Sequence, residues 1–152
     1  MRSLSLMSAA FADGLLLRDD YVIPRGTRAK EKTMRFDPTS LKFDVNGLIP
    51  CIAQQHDTGE VLMMAWMNAD SVAKTLKTGR VTYWSRSRQG FWVKGESSGH
   101  AQKLVALRVD CDRDCLLALV DQTGPACHTN RRSCFYTGIE SGEEVELMKP
   151  VA

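Results

Sequence analysis

Two short segments hold most of the residues in this chain that could do metal chemistry. Asp110-Cys111-Asp112-Arg113-Asp114-Cys115 interleaves carboxylates, thiols and one arginine. Hard carboxylate oxygens suit Mg2+ or Ca2+, whereas soft thiolates suit Zn2+, so adjacent positions can serve two ions of different hardness. On a straight strand the carboxylates at i, i+2 and i+4 would span roughly 13 Å. They can share one ion only where the chain curls. An EF-hand loop is excluded, because the position that needs glycine is Cys115 and the position that needs glutamate is Asp121. Taken alone, the segment reads equally well as a solvated acidic turn.

The second segment, Gly124-Pro125-Ala126-Cys127-His128-Thr129-Asn130-Arg131-Arg132-Ser133-Cys134, adds two thiols, an imidazole and two arginines. Arginines beside cysteines favour the thiolate, the form that ligates metal. Cys111, Cys127 and Cys134 give three thiolates and leave a fourth position for water, the pattern of a catalytic zinc. A closed structural site using Cys115 as well is the alternative. Its spacing, Cys-x3-Cys-x11-Cys-x6-Cys, lacks the paired short knuckles of zinc ribbons and fingers. The Pro-Cys-x-x-Cys signature of zinc nucleobase deaminases is absent. Cys51 reads as a buried strand cysteine.

A basic and aromatic stretch precedes these segments. Thr82-Tyr83-Trp84-Ser85-Arg86-Ser87-Arg88 leads into Phe91-Trp92-Val93-Lys94-Gly95 and Ser98-Gly99-His100. Guanidinium and ammonium donors, hydroxyls and glycine-exposed amides are what phosphate oxygens need. Trp84 and Trp92 either flank a base or fill the core. A single-stranded nucleic-acid platform is a competing reading of aromatics on strands beside cations, but the metal residues would be surplus in it.

These side chains must be positioned by a strand-rich frame. Ile49–Gln55 and Glu60–Trp66 are strand-like and flank the turn signal His56-Asp57-Thr58-Gly59. Asn68 stands where an N-cap belongs and Gly79 where a C-cap glycine does, which predicts a helix over 69–78 with Val72, Ala73 and Leu76 at helical spacing. Strands are expected at 80–85 and 91–94 around Gln89-Gly90, then at 104–110 with Val105, Leu107 and Val109 on one face. A continuous apolar strand follows at 116–122, and a last short one at 134–137. The expected fold class is β-rich α+β: a single domain built on a folded mixed sheet or pseudo-barrel with one or two short helices.

The bulk numbers agree with a soluble domain. The chain has 152 residues, 43% of them hydrophobic, and a formal net charge of +2. That balance excludes a polybasic nucleic-acid binder, though not a local basic patch. No apolar run approaches the roughly 20 residues of a membrane span. Five cysteines, an odd number crowded beside aspartates and a histidine, favour metal or catalysis over disulfides. Residues 1–40 read as an N-terminal extension, partly disordered or loosely docked, with Met7 and Met34 as alternative starts. Early acids and an interrupted apolar stretch argue against a secretion or transit signal, so a cytoplasmic location is expected.

From Phe43 to Ile139 the chain resembles the phosphoribosyl-AMP cyclohydrolase family of histidine biosynthesis. The residues that carry the resemblance are the TYWSRSRQGFWVKGESSGH, DCDRDC and GPACHTNRRSCFY runs, in the family's order. The resemblance implies a monofunctional cyclohydrolase domain over 41–140 with a C-terminal tail at 141–152. It also implies a homodimer that shares zinc held by Cys111, Cys127 and Cys134, and magnesium held by Asp110, Asp112 and Asp114. The reaction implied is hydrolytic opening of the adenine ring between N1 and C6, by zinc-activated water. His128 is then the candidate proton carrier, or else a residue that orients a ligand. A substrate with two phosphates needs two cationic pockets. Arg86, Arg88 and Lys94 are candidates for one and Arg131 and Arg132 for the other, with Trp84, Ser85, Ser87 and Ser98 as further substrate contacts. One departure is Asn130, where the family usually has glycine. Asn tolerates the left-handed backbone better than most residues, so the loop is expected to keep its shape.

Overall fold

The computed structural model describes residues 36–151. The extension over residues 1–35, with its alternative starts, lies outside the described residues. The elements in chain order are β1 (Ile49–Gln55), β2 (Val61–Met67), α1 (Ala69–Thr78), β3 (Thr82–Ser85), β4 (Gly90–Val93), β5 (Gln102–Val109), β6 (Leu116–Gln122), β7 (Thr137–Glu140) and β8 (Glu143–Glu146). Four of them form one sheet in the order β2-β1-β6-β5. β1 and β6 run parallel and the other neighbours antiparallel, so the sheet is mixed.

The sheet stays open. β2 and β5 are its two edges, and β3-β4 forms a separate two-stranded ribbon rather than closing the gap. A single isolated bridge, Arg80 to Lys103, ties the ribbon's base to β5. The pseudo-barrel expectation is therefore corrected to an open mixed sheet with one α-helix among the described residues.

The central strands carry the core. Ile49, Cys51 and Ala53 of β1 and Leu116, Ala118 and Val120 of β6 are all fully buried. Alternation with period two places them on one face of the sheet. Val72 of α1, Val81 and Tyr83 pack against them. Burying each of the larger side chains contributes about 1.5–3 kcal/mol. Cys51 is where its apolar surroundings suggested, and burial pushes its thiol up to about 12.

α1 is bounded as expected. The Asn68 side chain accepts from Ser71 N, and Gly79 adopts φ 69. Its buried face differs from the expectation: Ser71, Val72 and Thr75 are inside, while Leu76 is 43% exposed. Thr75 turns inward because its hydroxyl accepts from Thr82 N at 2.9 Å, joining the helix to β3.

β5 departs from strict alternation. Leu104 pairs with Val120 and Ala106 with Leu119, which leaves Val105 as an extra, bulged residue. Leu104, Leu107 and Val109 pack on the core, and Val105 is 53% exposed. The strand expected at 134–137 is instead β7, which begins at Thr137, and β8 follows it as a further strand. Cys134 is held outside the ladder, its N–H donating to Leu62 O at 2.7 Å.

Candidate active site

The β5–β6 connection is the acidic turn. The strands meet at Val109 and Leu116, and 110–115 must reverse the chain between them. Asp110 N donates to Cys115 O at 3.2 Å. The Asp110 carboxylate accepts from Asp114 N and Cys115 N, both at 3.0 Å. Arg113 takes the left-handed φ of 68 that the reversal needs. The chain thus curls, and carboxylate oxygens of Asp110, Asp112 and Asp114 come within 4.8 Å of one another, all three residues exposed. The donor chemistry fits a hard cation such as Mg2+.

Electrostatics in the turn agree with that fit. Slight burial raises the Asp110 carboxyl, but the N–H donors outweigh it and hold it below the usual range. The hydrogen bond to Asp110 and the charges of Asp112 and Asp110 push Asp114 up. Arg113 offers no local neutralisation, because its guanidinium reaches Ser40 O at 2.8 Å. Ser40 is thereby part of the folded body, although it falls within the expected extension.

The second segment folds back on itself as a loop. Cys127 N donates to Arg131 O and Ala126 N to Arg132 O, each at 3.1 Å. Asn130 occupies the left-handed region at φ 61, as its side chain allows. Buried Ser133 donates to Val61 O at 2.7 Å and so pins the next residue, Cys134, to β2. The Cys127 and Cys134 thiols line one cleft and influence each other's titration. Burial raises the Cys127 thiol, but its bonds to Thr129 and Cys134 and the charge of Arg131 bring it below the ordinary value. Burial and the neighbouring Cys127 push Cys134 up to about 11. The two neighbouring thiols are thus shifted in opposite directions.

Both thiols open into a cleft of about 360 Å3. His128 and Asn130 share their wall, and Lys94, Ser98 and His100 line it as well. Lys94 is only 6% exposed. Burial lowers its pKa, while the adjacent Cys134 and Cys127 raise it. Its expected partners, Arg86 and Arg88, are elsewhere. A second, more open groove of about 600 Å3 is lined by Trp66, Trp84, Ser85, Arg86 and Ser87. The Arg86 guanidinium sits 5.2 Å from the centre of the Trp66 ring. Trp92 lines both cavities. Trp84 and Trp92 are each half-buried, packed on Phe91 and Tyr83 respectively; Trp92 packs on the core, and both line a cavity.

Several expected contacts lie outside both cavities. Arg88 is exposed, and its Nε donates to Ser85 Oγ at 3.3 Å. Arg132 pairs with Glu60 at 3.0 Å. Arg131 is used internally: it donates to Met148 O at 2.9 Å, pairs with Glu146 and lies 4.1 Å from the Tyr136 ring centre. Asn130 and Val151 exchange two further bonds. Residues 141–151 of the tail thus supply β8 and strap the cysteine loop. The sequence offered no signal for this strap beyond the charge alternation of Arg131 and Glu146. His100 and Trp66 were also missed as cavity residues. Cys111 is exposed, and among the described residues no cysteine falls within a three-ligand group. Cys115 is half-buried, its thiol raised by burial and the three aspartates, and it lines neither cavity. No helix among the described residues is long and apolar enough to cross a membrane.

Comparison with known proteins matches residues 63–136 to the family described as phosphoribosyl-AMP cyclohydrolase. Relatives of that name include a protein of Jannaschia sp. (strain CCS1), 81% identical over 76% of this chain and 98% of the relative. A protein of Paracoccus denitrificans (strain Pd 1222) is 79% identical over 76% of this chain and 95% of its own length. One from Ruegeria pomeroyi is 75% identical, covering 78% of this chain and 99% of itself.

Proposed function

The chain belongs to the phosphoribosyl-AMP cyclohydrolase family, an enzyme family of histidine biosynthesis, and we propose that its cysteine-lined cleft performs the hydrolytic opening of the substrate's adenine ring between N1 and C6. The observation that carries this reading is the meeting of two thiols, an imidazole and a buried ammonium group in one cleft of about 360 Å3.

The paired thiols of Cys127 and Cys134 fit zinc by donor type, and the low thiol of Cys127 is already biased to the ligating form. Cys111 completes the set. It does not join the pair within one chain, so the third thiolate comes from a second copy, in a homodimer. Phe135, beside Cys134, is 57% exposed and offers an apolar surface for such a copy to cover. Zinc held there would lower the pKa of a bound water toward about 7.

The remaining chemistry falls to this chain's side chains. Water adds at C6, and its proton must be removed as the tetrahedral carbon forms. His128 follows directly after Cys127 in the cleft and takes that proton. Lys94, buried against both thiols, offsets the negative charge that thiolates gather there. Asp110, Asp112 and Asp114 would hold magnesium, which would organise the metal-bearing segment or a substrate phosphate. Arg86, Ser85 and Ser87 in the second groove receive a phosphate, with Trp66 and Trp84 against the attached nucleoside.

The test is a spectrophotometric assay on phosphoribosyl-AMP, with and without a zinc chelator. Ring opening that stops with chelation and returns with added zinc is expected. Turnover that survives complete removal of zinc would overturn the metal part of the reading, and absence of turnover in zinc-loaded protein would overturn the whole.

A further inference from the structure

Ring opening strips both protons from the adding water as its oxygen becomes the carboxamide carbonyl: one ends on the departing N1, the other on the exocyclic nitrogen, or in solvent where that nitrogen is already protonated. The C6–O bond forms, the C6–N1 bond breaks, and the electron pair left on N1 takes up a proton. One group must accept near the oxygen and another must donate near N1. The titratable side chains lining the cleft are Lys94, His100, Cys127, His128 and Cys134. The two cysteines are assigned to metal, Lys94 faces both of them as a counter-charge, and His128 is on their own loop. His100 stands apart from all of these, at the end of the connection between β4 and β5.

The fold makes room for this ring and holds it. A Cβ on Gly124 would meet His100 Cδ2 at 2.7 Å and Nε2 at 3.3 Å, so the imidazole lies against bare backbone at that glycine. A Cβ on Gly95 would meet the His100 carbonyl carbon at 2.4 Å, so the connection closes on itself only with glycine there. The His100 backbone is held at both ends: its N–H donates to Ser98 Oγ at 3.2 Å, and its carbonyl accepts from Gln122 Nε2 at 3.4 Å. Gln122 is fixed in turn by a buried chain. Tyr83 donates to Gln102 at 2.7 Å, and Gln102 donates to Gln122 at 2.9 Å. Both ring nitrogens of His100 are without a hydrogen-bond partner among the described residues. A half-buried imidazole that lines the cleft, with a fixed backbone and two ring nitrogens unengaged among the described residues, is built to meet a ligand.

Resting on the ring-opening reading above, we infer that His100 is a second catalytic imidazole: it donates the proton to N1 as the C6–N1 bond breaks, opposite His128, which accepts the proton from the adding water. The donated proton and the accepted one cancel over the cycle, so the two imidazoles exchange states and reset through solvent.

The experiment measures zinc content, KM and kcat for the full chain and for His100→Ala and His100→Asn, with and without added imidazole. Both variants should keep wild-type zinc content and a KM within a few-fold. Their kcat should fall on the order of 100-fold, and free imidazole should restore part of it in His100→Ala. A kcat within about threefold of wild type in either variant would overturn the assignment. So would a loss that tracks zinc loss or that imidazole leaves untouched, because a supporting role predicts that result. The wild-type protein is assayed in parallel. If it fails to open the ring, the functional reading fails; if it is active and His100→Ala is equally active, only the role of His100 fails.

Discussion

The acidic turn and the cysteine cleft are both ligand-rich, but they are assembled in opposite ways. In the turn, three carboxylates spaced two apart are gathered by a single reversal, with Asp110 accepting from the backbone of Asp114 and Cys115. The three carboxylates and the bonds that curl them lie within 110–115, and the turn is tied to the rest of the fold through Arg113, by Ser40 and Lys42. In the cleft, Cys127 and Cys134 are brought together by a loop that depends on β2, through Ser133 and Leu62, and on the C-terminal strap, through Arg131 and Asn130. Cys111, the third thiolate of the proposed set, belongs to the turn. A local site is finished by its own segment, whereas a site drawn from distant segments inherits the requirements of the whole fold and, in the proposed reading, of a second copy as well.

The sharpest break of this comparison is Cys127→Ala. It should abolish both zinc binding and turnover while leaving magnesium at the turn, as read by metal analysis and the ring-opening assay. Retained activity without zinc would contradict the catalytic role of the cleft. Next in size is His128→Ala, which should keep zinc and lose roughly 100- to 10,000-fold in kcat; a near-normal kcat would reduce His128 to a residue that orients its neighbour.

Asp112→Asn should act on the other region alone. Magnesium affinity should weaken about tenfold or more, equivalent to roughly 1.4 kcal/mol, with zinc content unchanged in titrations of each metal. A parallel loss of zinc would show that the two regions are one site. Arg131→Met tests the strap. It removes a cation over Tyr136 and a donor to Met148, so a stability loss of about 1–2 kcal/mol is expected in denaturant melts, together with weaker zinc retention. Unchanged zinc retention would separate the strap from the site.

The smallest effect concerns pH. The hydrogen bonds from Arg131 and Lys149 hold the Glu146 carboxyl below its ordinary 4.5. The strap's ion pairs are therefore complete above that value and are lost as pH falls through the lower folded value. Hydrogen exchange at residues 143–151 should accelerate over that acid range in wild type and not in Glu146→Gln.

What was legible in the sequence divides along the same line. The hairpin of β1 and β2, the caps of α1 at Asn68 and Gly79 and the apolar run of β6 are local signals, and the fold keeps them. The curl of the acidic turn could be stated only as a condition, because nothing in Asp-x-Asp-x-Asp requires Arg113 to go left-handed. Alternation in β5 failed at Val105, where a bulge reversed the faces; periodicity cannot see an inserted residue. The inward side of α1 failed because Thr75 is drawn in by β3, a tertiary hydrogen bond that outweighs the apolar pull of Leu76. At the cleft, the cysteines and His128 were visible from residue type. His100, Trp66 and the uses of Lys94 and Arg131 were not, because cavity walls and ion-pair partners are set by segments tens of residues apart.

The most direct test of the shared cleft is complementation between two inactive proteins, Cys111→Ser and Cys127→Ser, unfolded together and refolded as a mixture. If one copy lends Cys111 to the other's Cys127 and Cys134, half of the mixed dimers' sites escape both substitutions, and turnover should return to about a quarter of wild type. If each chain built its zinc site alone, every site in the mixture would carry one lesion, and activity would stay at the level of the separate variants.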